Sequence, residues 1–256
     1  MRRLRATAME ETVVAAIPAR WGSSRLPGKP LLPLAGKPMV QHVYERAAAA
    51  AGVSRVVVLT DDERIAAAVA AFGGEHELTP ADCASGTDRI AWAARAWDAA
   101  AVVNVQGDEP LVDPAAIARL ALHLRAHPED GMVTLAVPAT GEELGNPHAV
   151  KVVLDREGYA LYFSRAGIPY PRGEEGAPAV RHLGLYGYRR ETLLRLAALP
   201  PTPLERRESL EQLRALENGI RLRVLMVESA APGVDTAEDA ARAERLLGGS
   251  AVTGER

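Results

Sequence analysis

The chain has 256 residues, of which 48% are apolar and 25% charged, with a net charge of −3 and one cysteine, Cys83. That composition fits a folded domain with a full core and excludes a disordered chain. The charge balance gives no basic footprint for nucleic acid, and one cysteine excludes an internal disulfide framework or a thiolate metal cluster.

TVVAAI (12–17) is a near-continuous apolar run, as expected of a strand buried on both faces. KPMVQHVYERAAAAAG (37–52) reads as a helix ending at Gly52, and SRVVVLT (54–60) as a second buried strand. DDERIAAAVAAFGG (61–74) has acidic residues at its start and glycines at its end, which predicts a helix. GTDRIAWAARAWDAA (86–100) predicts a third helix and AVVNVQ (101–106) a third buried strand. DPAAIARLALHLRAHP (113–128) predicts a helix capped by Asp113 with Pro114 at its first position. This β-α alternation implies an α/β fold with a doubly wound, largely parallel sheet.

After Gly131 the pattern becomes strand-rich, with a turn at DREG, and 131–189 reads as a β-rich insertion beside the main sheet. The 200–219 stretch predicts a helix after a Pro-rich approach. IRLRVLMVE (220–228) predicts a strand, and DTAEDAARAERLL (235–247) a closing helix capped by Asp235 or Thr236. Residues 12–247 therefore form one domain, with 1–11 and 248–256 as flexible tails. No apolar run approaches the ~20 residues that span a bilayer, and MRRLRATAMEE lacks the apolar region of a signal peptide. A cytoplasmic place and no membrane partner are the expectations.

Ligands of open α/β sheets collect at the carboxyl ends of the strands, and polar clusters follow the strands here. RWGSSRLPGKP (20–30) combines Arg20, Arg25 and Lys29 with glycines that let backbone N–H groups approach an anion. It is not a Walker A loop: five residues separate Gly22 from Gly28, and Pro30 follows Lys29. The alternative is a solvated basic turn. Asp108, in VVNVQGDEP, is a natural Mg²⁺ ligand or a plain turn residue. Asp235 is a second metal carboxylate or a helix cap. SGTDR (85–89) suits a base edge or phosphate, or simply starts a helix. His123 and His127 share a helix face without a third ligand in view, so a surface pair is favoured. There is no G-x-S-x-G elbow and no G-x-G-x-x-G after the first strand. Together the clusters suggest phosphate chemistry assisted by metal ions.

The stretches SRLPGKPL, QGDEP, FSRAGIPY, HLGLYGYR and LEQLR occur in that order, and their joint occurrence is specific. With the residues between them they resemble the 3-deoxy-manno-octulosonate (Kdo) cytidylyltransferase family from about Thr12 to Leu247. The resemblance implies CTP + Kdo → CMP-Kdo + diphosphate, with Mg²⁺, in lipopolysaccharide biosynthesis. It also implies a nucleotide-diphospho-sugar transferase fold, a homodimer, and a β-rich insertion acting as sugar lid and dimer contact. By resemblance Arg20 and Lys29 contact the triphosphate, with Ser23 and Arg25 alongside. Asp108 and Asp235 ligate Mg²⁺. Ala19, Ser85, Thr87 and Arg89 lie near the cytidine, with Gln106 between base and sugar. Arg165, His182, Tyr186, Glu211 and Gln212 line the sugar pocket. Physics alone favours ordinary strand packing for Tyr186 and a solvated helix face for Glu211 and Gln212.

Trp21-Gly22-Ser23 replaces the commoner aromatic-Ala-Ser of the family, and ERRES and ALENG depart around LEQLR. These changes concentrate at the sugar end. Two other readings stand beside this one: CMP activation of a related acid (8-amino-Kdo or a sialic-type acid), and a nucleotide-binding module without catalysis.

Overall fold

The computed structural model describes residues 12–22, 26–172 and 178–250. The apolar runs form strands whose side chains alternate between two buried layers. In β1 (Val13–Pro18), Val13, Ala15 and Ile17 enter one core cluster, and Val14 and Ala16 the other. β4 (Arg55–Thr60) and β6 (Ala101–Asn104) flank β1 in parallel, and β5 (His76–Leu78) extends that edge beside β4. The strands β7 (Met132–Pro138), β10 (Val180–Arg189) and β11 (Leu222–Met226) complete the order β11-β7-β10-β6-β1-β4-β5. β10 runs antiparallel to both neighbours, and β11 parallels β7. The result is an α/β fold with a mixed, mostly parallel sheet. β2 (Pro33–Leu34) and β3 (Lys37–Pro38) form a separate small ribbon.

β8 (Lys151–Leu154) and β9 (Ala160–Ser164) form a hairpin attached to the first residues of β10. This divides the segment expected beside the main sheet. β7 and β10 lie within that sheet, and the β8–β9 hairpin extends from it. β10 pairs with β6 through 186–189 and with β8 through 180–181, with a bulge between Leu183 and Tyr186. The main sheet thus opens where β10 changes partners.

Helices α1 (Met39–Ala48), α2 (Glu63–Ala71) and α4 (Pro114–Ala126) cover one face of the sheet. The other face carries α3 (Gly86–Ala94), α6 (Arg190–Ala197) and α8 (Gln212–Glu217). Asp62, Ser85 and Asp113 cap α2, α3 and α4 with side-chain acceptors, because the first backbone donors of a helix have no partner inside it. α5 (Gly141–Gly145) is a single turn with a capping box. The helix expected over 200–219 is two helices, α7 (Pro203–Glu208) and α8, broken at Ser209 with φ 53°. α9 (Ala237–Ser250) closes the chain, so the first residues expected as a C-terminal tail are helical. The tail residues 1–11 and 251–256 lie outside the described residues.

Candidate active site

The site forms where β1 ends between β4 and β6. Ala19 N donates to Leu59 O at 2.8 Å, so the chain stays tied to β4 as it leaves the sheet. Ala19 itself lines the opening above the strand ends. On the other side Gly107 follows β6, and a β-carbon there would lie 2.8 Å from Pro18 O. Only glycine permits this approach. Above these ends opens a cavity of about 430 Å³, lined in part by Ala19, Arg20, Lys29, Ser85, Arg89, Gln106, Asp108 and Asp235. Candidates named from four separate stretches of sequence therefore share one wall. Ser23 and Arg25 lie outside the described residues.

Lys29 is 8% exposed and begins a 3-10 turn (Lys29–Leu31) after Gly28 in the left-handed region. Its Nζ donates to Asp108 Oδ2 at 2.8 Å and to Asp235 Oδ1 at 3.1 Å. Both carboxylates are about half exposed. Asp235 does not cap α9. Thr236 Oγ1 accepts from Asp239 N at 3.2 Å, and Asp239 Oδ2 accepts from Thr236 N at 2.9 Å, a reciprocal cap. With Thr236 in that role, the Asp235 carboxylate turns to Lys29.

This pair of carboxylates already surrounds a cation. Hard oxygen donors at the rim of an open cavity fit Mg²⁺, which binds through one or two carboxylates plus substrate phosphates and water. Among the described residues no cluster of three or more His, Cys, Asp or Glu suits a metal. Glu109, next to Asp108, lies outside this cavity's lining, and burial, and then the charge of Asp108, push its carboxyl up to about 8.

Arg89, 4% exposed, is fixed by Asp61 at 3.2 Å and by Thr79 Oγ1. Thr87 is buried behind the wall and donates to Glu211 Oε2 at 3.0 Å; Ser85 Oγ lies 3.4 Å from Glu211 Oε1. Burial raises the Glu211 carboxyl above its ordinary value. Glu211 thus joins the cytidine candidates to α8 and is no solvated helix face. Gln212, at 5% exposure, is not solvated either.

Gln106 Nε2 donates to Gly184 O at 3.0 Å, filling the opening beside the β10 bulge. His182 and Tyr186 are adjacent on β10, with ring centroids 5.3 Å apart, and Tyr186 stacks on Tyr188 at 5.9 Å. Thr134 Oγ1 has one hydrogen and gives it to Leu185 O at 2.7 Å. It therefore accepts from His182 Nε2 at 2.9 Å, which leaves Nδ1 of His182 as an acceptor. The geometry brings neither Arg165 nor His182, Tyr186, Glu211 or Gln212 to the lining of this cavity. Arg165 Nε, Nη1 and Nη2 donate to the carbonyls of Glu208, Pro147 and Ser209 at 2.8, 3.0 and 3.3 Å. His123 and His127 lie far along α4, stacked at 4.3 Å and paired with Asp130 and Glu129.

The cavity holds cations, carboxylates and neutral polar groups. Among the described residues Cys83 and Ser85 line it and no histidine does, and burial pushes the Cys83 thiol up, away from thiolate. Such a wall suits a polyphosphate and, among the described residues, shows no activated nucleophile.

Comparison with known proteins agrees with this chemistry. Residues 14–223 match the cytidylyltransferase family model. The 3-deoxy-manno-octulosonate cytidylyltransferase of Syntrophotalea carbinolica is 52% identical over 248 residues, 93% of this chain and 99% of that protein. The 8-amino-3,8-dideoxy-manno-octulosonate cytidylyltransferase of Shewanella amazonensis is 50% identical over 240 residues, 92% of this chain and 98% of that protein. A solved structure of CMP:2-keto-3-deoxy-manno-octonic acid synthetase complexed with CTP matches with a TM-score of 0.91 at 45% identity, covering 93% of this chain and 99% of that chain. With a family model over most of its length and relatives of half-identity along nearly all of it, this chain belongs to the cytidylyltransferases, as a nucleotidyltransferase of the 3-deoxy-manno-octulosonate cytidylyltransferase family.

Proposed function

We propose that the protein transfers the cytidylyl group of CTP to the anomeric hydroxyl of Kdo, giving CMP-Kdo and diphosphate. The observation that carries this reading is Lys29 held between Asp108 and Asp235 at the rim of the cavity that Arg20, Ser85, Arg89 and Gln106 also line. The sugar oxygen forms a bond to the α-phosphorus as the bond to the diphosphate oxygen breaks, and the hydroxyl proton leaves to solvent. A reaction of this kind gains most from positioning and charge neutralisation.

Arg20 and Lys29 balance the phosphate oxygens. Asp108 and Asp235 would hold Mg²⁺, which when bound supplies positive charge at those oxygens. The Ala19 carbonyl, Ser85 and Arg89 meet the cytidine, and Thr87 supports them through Glu211. Gln106 stands between nucleotide and sugar. His182, Tyr186, Glu211 and Gln212 line the sugar side. Arg165 offers its remaining N–H donors to the sugar carboxylate. The reading includes a homodimer and a cytoplasmic role in lipopolysaccharide biosynthesis. Among the described residues, no helix is long and apolar enough to cross a membrane.

The Shewanella relative favours a second reading, in which the acid carries an amino group at its eighth carbon. Diphosphate release from CTP and Mg²⁺, measured with Kdo, 8-amino-Kdo and a sialic acid at equal concentrations, separates the two. Fastest release with Kdo is expected. Release only with another acid would change the substrate and keep the reaction, and release with none would remove the enzymatic proposal.

A further inference from the structure

The loop between β1 and Lys29 is tied at its base, where Gly28 N donates to Trp21 O at 3.1 Å. The Trp21 indole occupies the space beside Gly28. A β-carbon at Gly28 would lie 2.8 Å from the ring, and its φ is +72°. Arg64 covers the indole, with Cζ 3.5 Å from the ring centroid.

Arg64 sits in the first turn of α2, and its plane is fixed. Nε and Nη2 donate to Asp62 Oδ1 and Oδ2 at 2.9 and 2.6 Å. The same carboxylate caps α2 by accepting from Arg64 N at 2.9 Å, and Asp62 N donates to Thr60 Oγ1 at 3.2 Å at the end of β4. An exposed Arg–Asp pair contributes little by itself. This one is held rigidly by a strand end and a helix cap, and it presents the guanidinium face to an indole. A cation over the face of tryptophan is the most favourable arrangement of its kind. The contacts run unbroken from β4 through Asp62, Arg64 and Trp21 to Gly28, whose neighbour Lys29 reaches both active-site carboxylates.

We propose that Arg64 is a positioning residue for the phosphate loop, acting through the Trp21 ring to place Arg20 and Lys29 for the triphosphate. It touches no reacting group itself. The inference rests on the reading of this loop as the CTP phosphate site, and it predicts an effect confined to phosphate contacts.

The test is calorimetric titration of the full chain with CTP and, separately, with cytidine, for the parent, Arg64→Ala, Trp21→Leu and the double variant. Arg64 is exposed and alanine suits a helix, so Arg64→Ala retains the fold. CTP affinity is expected to fall about threefold in Arg64→Ala and further in Trp21→Leu, with cytidine affinity unchanged. Adding Arg64→Ala to Trp21→Leu is expected to change nothing more, because the ring it acts on is gone. Unchanged CTP affinity in Arg64→Ala, or equal loss for cytidine and CTP, would overturn the inference. A parent protein that binds CTP no more tightly than cytidine would overturn the triphosphate site itself, and that failure is visible without any variant.

Discussion

Lys29 Nζ and Asp235 Oδ1 are 3.1 Å apart although the residues are separated by 206 positions in the chain. Asp108 meets the same ammonium from the end of β6 at 2.8 Å. The segment leading into the closing helix therefore delivers a carboxylate to the loop after β1, and these two groups meet only when both ends of the domain have folded.

Removing either carboxylate charge should slow catalysis strongly and spare the fold. Asp108→Asn and Asp235→Asn keep size and shape, and Lys29 retains the other partner. Turnover is expected to fall at least about a hundredfold in each, judged from the worth of a single charge-stabilising group at a reacting phosphate. Diphosphate release measures the rate and circular dichroism the fold. A rate near that of the parent in either variant would take that residue out of the proposed metal site.

Asp130 presents the opposite case. It is 2% exposed and accepts from Tyr159 OH at 2.6 Å and Arg223 Nε at 3.1 Å, with His123 Nε2 at 2.7 Å. This cluster pins the β8–β9 turn to the start of β7. β6 and β7 both run antiparallel to β10, so the start of β7 lies at the sheet edge away from the cavity. Asp130→Asn places an amide against donors and leaves Arg223 without its charge partner. Stability is expected to fall by about 2–4 kcal/mol with kcat little changed. Denaturant unfolding and steady-state rates at saturating substrate check both halves. A large loss of kcat with unchanged stability would contradict this placement.

Much of the frame is legible because buried strands and capped helices leave local signals. TVVAAI, SRVVVLT and AVVNVQ are continuous apolar runs and became β1, β4 and β6. Asp113-Pro114 marked the start of α4 to the residue. Arg20, Lys29, Asp108 and Asp235 were visible as charged groups following apolar runs. The illegible parts depend on distant partners. Nothing local says that β10 inserts between β6 and β7, since those pairings join residues tens of positions apart. Ser209 adopts a left-handed backbone without glycine, and the break it makes is held by Arg165 on its carbonyl. The environment of Glu211 was invisible for the same reason: its partners Ser85 and Thr87 lie on another helix. Arg64 gave no signal, because an Arg in the first turn of an exposed helix is ordinary until the ring beneath it is known.

His182 should make stability depend on pH. Burial, and then the charge of Arg181, lower its pKa to about 3. In the unfolded chain the imidazole titrates near 6.5. Between those values the unfolded state binds the extra proton, so the contribution of neutral His182 is complete above pH ~6.5 and is lost as pH falls toward 3. Thermal midpoints of the parent and His182→Gln, measured from neutral to acid pH, are expected to converge as pH drops. Parallel curves would show that the imidazole does not titrate on unfolding. At neutral pH the ring stays uncharged, which keeps Nδ1 an acceptor for the proposed sugar contact.

Arg165 combines observed contacts to neighbouring carbonyls with a proposed one to the sugar acid. Its contacts to the Glu208 and Ser209 carbonyls hold the break between α7 and α8, just before Glu211 and Gln212. Its remaining donors are the proposed partner of the sugar carboxylate. Arg165→Ala loses both, and KM for the sugar acid is expected to rise about tenfold or more, with KM for CTP changed far less. Arg165→Lys keeps the charge without the planar fork, and an ammonium cannot span the same carbonyls, so it should not restore the sugar KM. Full rescue by lysine would mean that positive charge alone matters. An equal rise for both substrates would move Arg165 from the sugar pocket to the general scaffold of the site.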